Sequence, residues 1–154
     1  MICLTSWHSY PKIYNFGHKA IKNLFAEEVQ VEEKIDGSFY SFGMFDSALK
    51  IRSKGKEMAV DAPEKLFIPA VETTKKLQYE LTPGWTYRAE FLAKPKHNVL
   101  AYDRIPKDHL IIFDINPFEE EYLSYEAKKI EADRLGLECA PLLYKGKINS
   151  LEEF

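Results

Sequence analysis

The 154 residues suffice for one domain with a sizeable core, and 45% hydrophobic against 29% charged residues is the balance of a globular chain rather than a disordered one. No apolar run approaches the roughly 20 residues of a membrane-spanning helix, so no membrane role is expected. The net charge of −3 excludes an overall basic field that would recruit nucleic acid, leaving such binding to local patches.

The start, Met1 to His8, has no basic region followed by an apolar core and is unlike a signal peptide. Trp7, Tyr10, Tyr14 and Phe16 follow in an irregular lead-in around Pro11 and Gly17. Ile21, Leu24 and Phe25 fall at i, i+3 and i+4, which predicts a short helix over 18–25. Val29 to Lys34 alternates with period 2, Asp36-Gly37 is a turn dipeptide, and Ser38 to Phe45 is an aromatic-rich strand, so a hairpin is predicted with Lys34 at its mouth. Asp46-Ser47 turns the chain into a strand from Leu49 to Lys54, closed by Gly55.

Asp61-Ala-Pro63-Glu64 reads as a helix start, with Leu66, Ala70, Thr73 or Thr74, Leu77 and Leu81 along one face. Pro69 should kink this helix or move its start, and Pro83-Gly84 ends it. Trp85 to Ala93 alternates again, with Tyr87, Ala89 and Phe91 on one face and Arg88 and Glu90 on the other. Lys94-Pro-Lys96-His97-Asn98 is a basic loop, and His109 to Ile115 a buried strand. Ser124 as N-cap and Gly136 past the end bound a helix over 124–136, with a last strand from Leu137 to Tyr144. Lys145-Gly-Lys147 reads as a solvated turn, and Ser150 to Glu153 as the capping box of a further helix. Cys3 and Cys139 are too few for a disulfide framework or a cysteine metal site, so a reducing, cytoplasmic setting is expected.

Lys34, with Glu32, Glu33 and Asp36 beside it, admits two readings: a solvated charge cluster, or a nucleophile. A lysine attacks only as the neutral amine, which calls for nearby cations or desolvation. A phosphorylated substrate would further need cations for its phosphates and a carboxylate for its sugar or metal.

Lys34-Ile35-Asp36-Gly37 resembles the Lys-x-Asp-Gly motif of the covalent nucleotidyltransferases, which comprise RNA ligases, ATP-dependent DNA ligases and mRNA capping enzymes. Arg52-Ser-Lys54-Gly is similar to that family's second motif, Glu90 within Tyr87-Arg-Ala-Glu-Phe-Leu to its third, and Phe113 within Ile111-Ile-Phe-Asp to the aromatic motif after it. The segment Lys94 to Pro106 resembles the one that follows the glutamate strand in RNA ligases, and the likeness covers most of 29–115. The resemblance implies an α+β fold, mostly antiparallel sheets with flanking helices, as an ATP-grasp-like nucleotidyltransferase domain over 1–154 that is incomplete at its C-terminus.

It also implies roles. Lys34 would take AMP from ATP with Mg²⁺ (or Mn²⁺), forming lysyl-AMP, and pass it to a 5′-phosphate end that a 3′-hydroxyl then seals. Arg52 and Lys54 would hold phosphates, Glu90 the ribose, Phe113 the base, and Glu33 would face the adenine, while Ile35, Asp36 and Gly37 complete the nucleotide-binding turn. Lys94, Lys96, His97 and Arg104 would meet RNA ends, with DNA as the alternative substrate. Phe39 stands where many RNA ligases carry a polar residue. No Glu-Gly-x-Val-x-Lys segment and no Lys-x-Lys strand follows residue 115. A DNA ligase, a capping-type enzyme and a non-catalytic nucleotide- or nucleic-acid-binding fragment are the alternatives. Metal ligands and oligomeric state are not assigned.

Overall fold

The computed structural model describes residues 5–149, and the capping box at Ser150 lies outside them. Among the described residues no helix is long and apolar enough to cross a membrane. The architecture is α+β. A six-stranded sheet has the order β4 (Glu57–Met58), β3 (Ala48–Arg52), β2 (Ser38–Phe45), β5 (Thr86–Phe91), β6 (Leu110–Asn116) and β7 (Glu138–Cys139). All its pairings are antiparallel except that of β6 with β7. A separate two-stranded sheet pairs β1 (Val29–Glu32) with β8 (Leu142–Gly146).

Period-2 alternation gives the large sheet an apolar face carrying Tyr40, Phe42, Ile51, Tyr87, Phe91 and Ile112, all fully buried. Two helices cover that face: α1 (Ile68–Leu77) through Ala70 and Val71, and α2 (Tyr125–Leu135) through Ala132 and Leu135. The opposite face carries Arg52, Ser41, Arg88 and Asp114 in one register row across four strands.

Several sequence expectations hold. Asp46 and Ser47, at φ 52° and 65°, form the two-residue turn joining β2 to β3, both in the left-handed region that a primed turn demands. Ser124 Oγ accepts from the Ala127 N–H, and Gly136 at φ 72° ends α2 by donating to Ala132 and Asp133. Of the two options that Pro69 left open, the helix start moves: α1 begins at Ile68, with Pro69 in its first turn, preceded by a 3₁₀ turn over Lys65–Phe67.

Others are corrected. The predicted hairpin does not form, because β1 pairs with β8 and β2 with β3 and β5; residues 33–37 are a connection between two sheets. The helix predicted over 18–25 shrinks to a 3₁₀ turn at Lys19–Ile21, too short an apolar stripe to sustain a helix. The last predicted strand splits at Ala140-Pro141 into β7 and β8, since proline cannot donate to a ladder and the chain changes sheets there. Lys145 and Gly146 lie in β8, paired with Gln30 and Val29, rather than in a solvated turn.

Candidate active site

The connection from Glu33 to Gly37 leaves one sheet and enters the other. The Glu33 N–H donates to Pro141 O at 3.0 Å, and Ile35 is buried against Leu92 and Ala140, which anchors the connection on both sides of Lys34. Lys34 therefore stands exposed between two fixed points. Gly37 is required sterically: a Cβ there would lie 2.5 Å from the Phe91 carbonyl oxygen.

Asp36 holds a loop. Its carboxylate accepts from the N–H groups of Val99 and Leu100, both at 2.8 Å, and these hold its pKa below the usual carboxylate value, Leu100 contributing most. Its own N–H donates to the Tyr102 hydroxyl at 2.8 Å, while the Asn98 amide donates to Gly37 O at 2.8 Å. His97 accepts the Ala93 N–H at Nδ1, 3.1 Å, which assigns the proton to Nε2 for the 2.7 Å bond to Ser38 Oγ. The basic loop is thus tied to both sides of the Lys34–Gly37 turn, with Lys94 and Lys96 exposed on it.

Glu90 lies on the polar face of β5, half-buried, next to this turn. Burial raises its carboxyl to about 7, against the Gly37 N–H and the ammonium groups of Lys34 and Lys54 that favour its charge. Arg52, paired across from Ser41, lies under the Trp7 ring, its guanidinium carbon 5.8 Å from the centroid, and its buried Nε has no hydrogen-bond partner. Phe113 is half-buried and meets Tyr10 edge-on, with centroids 5.2 Å apart at 80°, and Phe39 at 5.8 Å. Phe39, at the position where a polar residue is common, serves here as ring packing.

Lys34, Asp36, Gly37, Lys54 and Glu90 come together, with Arg52 on the same sheet face. Glu33 points instead into a small cavity with Ile35, Tyr102 and Cys139. Arg104 is engaged by the Glu138 carboxylate, which also accepts the Lys107 N–H at 2.6 Å.

Arg88 was not assigned from the sequence and proves to be an anchor. Fully buried, it donates to Asn116 Oδ1 at 3.0 Å, Ser41 Oγ at 3.1 Å, His8 O at 2.7 Å and Ser6 O at 3.2 Å, strapping the N-terminal segment across the polar face. Tyr10 completes the strap through a 2.6 Å bond to Asp114 Oδ2. The signal available beforehand was a polar residue in the middle of an apolar, alternating strand. Among the described residues no three His, Cys, Asp or Glu side chains converge as a metal site.

Lys34 is thus exposed on a connection between two sheets, near the Glu90 carboxylate, which also feels the charge of Lys54. The RNA ligase family model matches residues 27–154, and the chain belongs to that family. Among solved structures, an archaeal ATP-dependent RNA ligase superposes with a TM-score of 0.66 at 16% identity, covering 90% of this chain and 38% of that one. A mutant of the Naegleria gruberi RNA ligase with AMP and Mn gives 0.62 at 14% identity, over 85% of this chain and 40% of that one. Another mutant of that ligase, with ATP and Mn, gives 0.62 at 15%, over 95% and 47%. At these identities the likeness establishes the fold, that of ligase nucleotidyltransferase domains, and this chain spans about two fifths of the first two structures' lengths. A search of curated proteins finds no match.

Proposed function

We propose that this chain carries the nucleotide-accepting step of an ATP-dependent RNA ligase, as a single nucleotidyltransferase unit working in the cytoplasm. The observation that carries the reading is Lys34 exposed on the connection between two sheets, with Glu90, Lys54 and the Gly37 N–H gathered beside it. The neutral Lys34 amine attacks the α-phosphorus of ATP. An N–P bond forms, the P–O bond to pyrophosphate breaks, and the amine sheds its proton to solvent. The AMP then passes to a 5′-phosphate, freeing the lysine, and a 3′-hydroxyl displaces AMP to close the strand.

The other residues bind and orient. The unpartnered Nε of Arg52 is a donor suited to a phosphate oxygen, and Lys54 adds a second cation. Glu90 accepts from a ribose hydroxyl, and Phe113 offers its ring to the purine. Asp36 and Gly37 shape the turn, as their bonds to the Val99 and Leu100 N–H groups and to the Asn98 side-chain amide suit them to do. Glu33 and Ile35 line the wall behind it. A divalent ion, Mg²⁺ or the Mn that accompanies nucleotide in the ligase structures, would supply further positive charge against the triphosphate. Lys94 and Lys96 face the RNA end, with His97 holding their loop.

Intact mass after incubation with ATP and Mg²⁺ tests the reading. A gain of one AMP, absent in Lys34→Ala, is expected. Adduct persisting in Lys34→Ala would remove Lys34 from its role. ATP binding without any adduct would favour the second reading, a nucleotide-binding unit without chemistry. Challenge of the adduct with 5′-phosphorylated RNA and DNA separates the two substrate classes.

A further inference from the structure

We infer that Lys128, which the reading above leaves unused, is a positioning residue that sets the spacing between the nucleophile and the base platform; the inference rests on the adenylylation reading. Lys128 lies on the inward face of α2, its side chain only 3% exposed. Its ammonium donates to Glu32 Oε1 at 2.5 Å and to the Phe113 carbonyl at 2.8 Å, and sits 5.3 Å from the Tyr125 ring centroid. Glu32 is the last residue of β1, two before Lys34, and Phe113 lies in β6. One buried cation therefore ties the strand that launches the nucleophile to the backbone beneath the aromatic ring.

Those two segments belong to different sheets. A backbone route between them runs through Ala140-Pro141, where Ala140 donates to Ile112 O at 2.8 Å and Pro141 accepts from Glu33 at 3.0 Å. The Lys128 clamp is its side-chain counterpart. Stability alone does not call for a charge here, because apolar residues of similar volume commonly replace buried ion pairs without loss. Geometry does call for it. An ammonium fixed by two acceptors on separate sheets holds their separation, and an apolar side chain of the same length would not. In the adenylylation step the lysine amine must meet the α-phosphorus of a nucleotide whose base is held at Phe113, so the Glu32-to-Phe113 spacing enters the attack distance directly.

The test is a set of single-turnover measurements of lysyl-AMP formation in the wild type, Lys128→Met, Glu32→Gln and the double variant, at a temperature where each is fully folded. At saturating ATP, Lys128→Met is expected to slow adduct formation by about 10- to 100-fold, the range that misplacement on the order of an ångström produces. Its ATP dissociation constant should change by less than about threefold, since the groups that contact the nucleotide remain. The double variant should be no slower than the slower single one, as two halves of one clamp require. A rate at saturating ATP within about twofold of wild type in Lys128→Met, whatever its melting temperature, would overturn the inference and leave the ligase reading standing. A wild type that binds ATP but forms no adduct would overturn both.

Discussion

Burial raises the Glu90 carboxyl, the Gly37 N–H with Lys34 and Lys54 opposes that rise, and the net value is about 7. In the unfolded chain the same group ionises near 4.5. Between those two values the folded state holds more of this proton than the unfolded state does. The stability it contributes is complete below about pH 4.5 and is lost as pH rises through about 7. This carboxyl thus weakens the fold as pH rises through neutral. In Glu90→Gln the amide cannot ionise, so that loss should vanish. The variant should be more stable than wild type at pH 8 by on the order of 2 kcal/mol, with little difference at pH 4.5. Urea midpoints at the two pH values decide the matter, and an equal drop in both proteins would show that this carboxyl is not the source.

At the scale of elements, the Lys34–Gly37 turn and the basic loop behave as one piece. The loop from Lys94 to Ala101 has little packing of its own, and Val99 and Leu100 are 81% and 52% exposed. What orders it is Asp36, which takes the two successive N–H groups of Val99 and Leu100. Asp36→Ala should leave the sheet intact and raise amide exchange at Val99 and Leu100 by at least about tenfold, while Asp36→Asn, which keeps one acceptor oxygen, should lie between. Exchange unchanged in Asp36→Ala would mean that Asn98 and His97 suffice. Elements of this size were unevenly legible in the sequence. Ser124, Gly136 and the Asp46-Ser47 turn act through their nearest neighbours, so local chemistry revealed them. The pairing of β1 with β8 joins residues more than a hundred positions apart, which alternation in either strand cannot show. Lys128 shares a helix face with the buried Ala132 and Leu135, a spacing that places it inward, but it received no assignment from the sequence. Candidate site residues could be assigned where a motif carried them, whereas those that hold the motif in place, Arg88, Tyr102 and Asn98, depended on contacts across the fold.

The molecule as a whole carries a net charge of −3, so a polyanion is repelled at a distance and must be held locally. On the segment from Lys94 to Arg104 the cations are few. Arg104 is committed to Glu138, both ring nitrogens of His97 are occupied, and Lys94 and Lys96 remain exposed. Two lysines contacting two phosphates release about two counterions, and for single strands each contributes roughly −0.7 to the slope of log affinity against log salt. Binding of a short 5′-phosphorylated RNA should therefore show a shallow slope, near −1.4. In Lys94→Ala/Lys96→Ala the slope should approach zero and the affinity fall. Fluorescence anisotropy titrations over a range of salt concentrations measure both quantities. A wild-type slope several times steeper would point to a larger basic surface than this loop, and a slope unchanged in the double variant would place the RNA on another face.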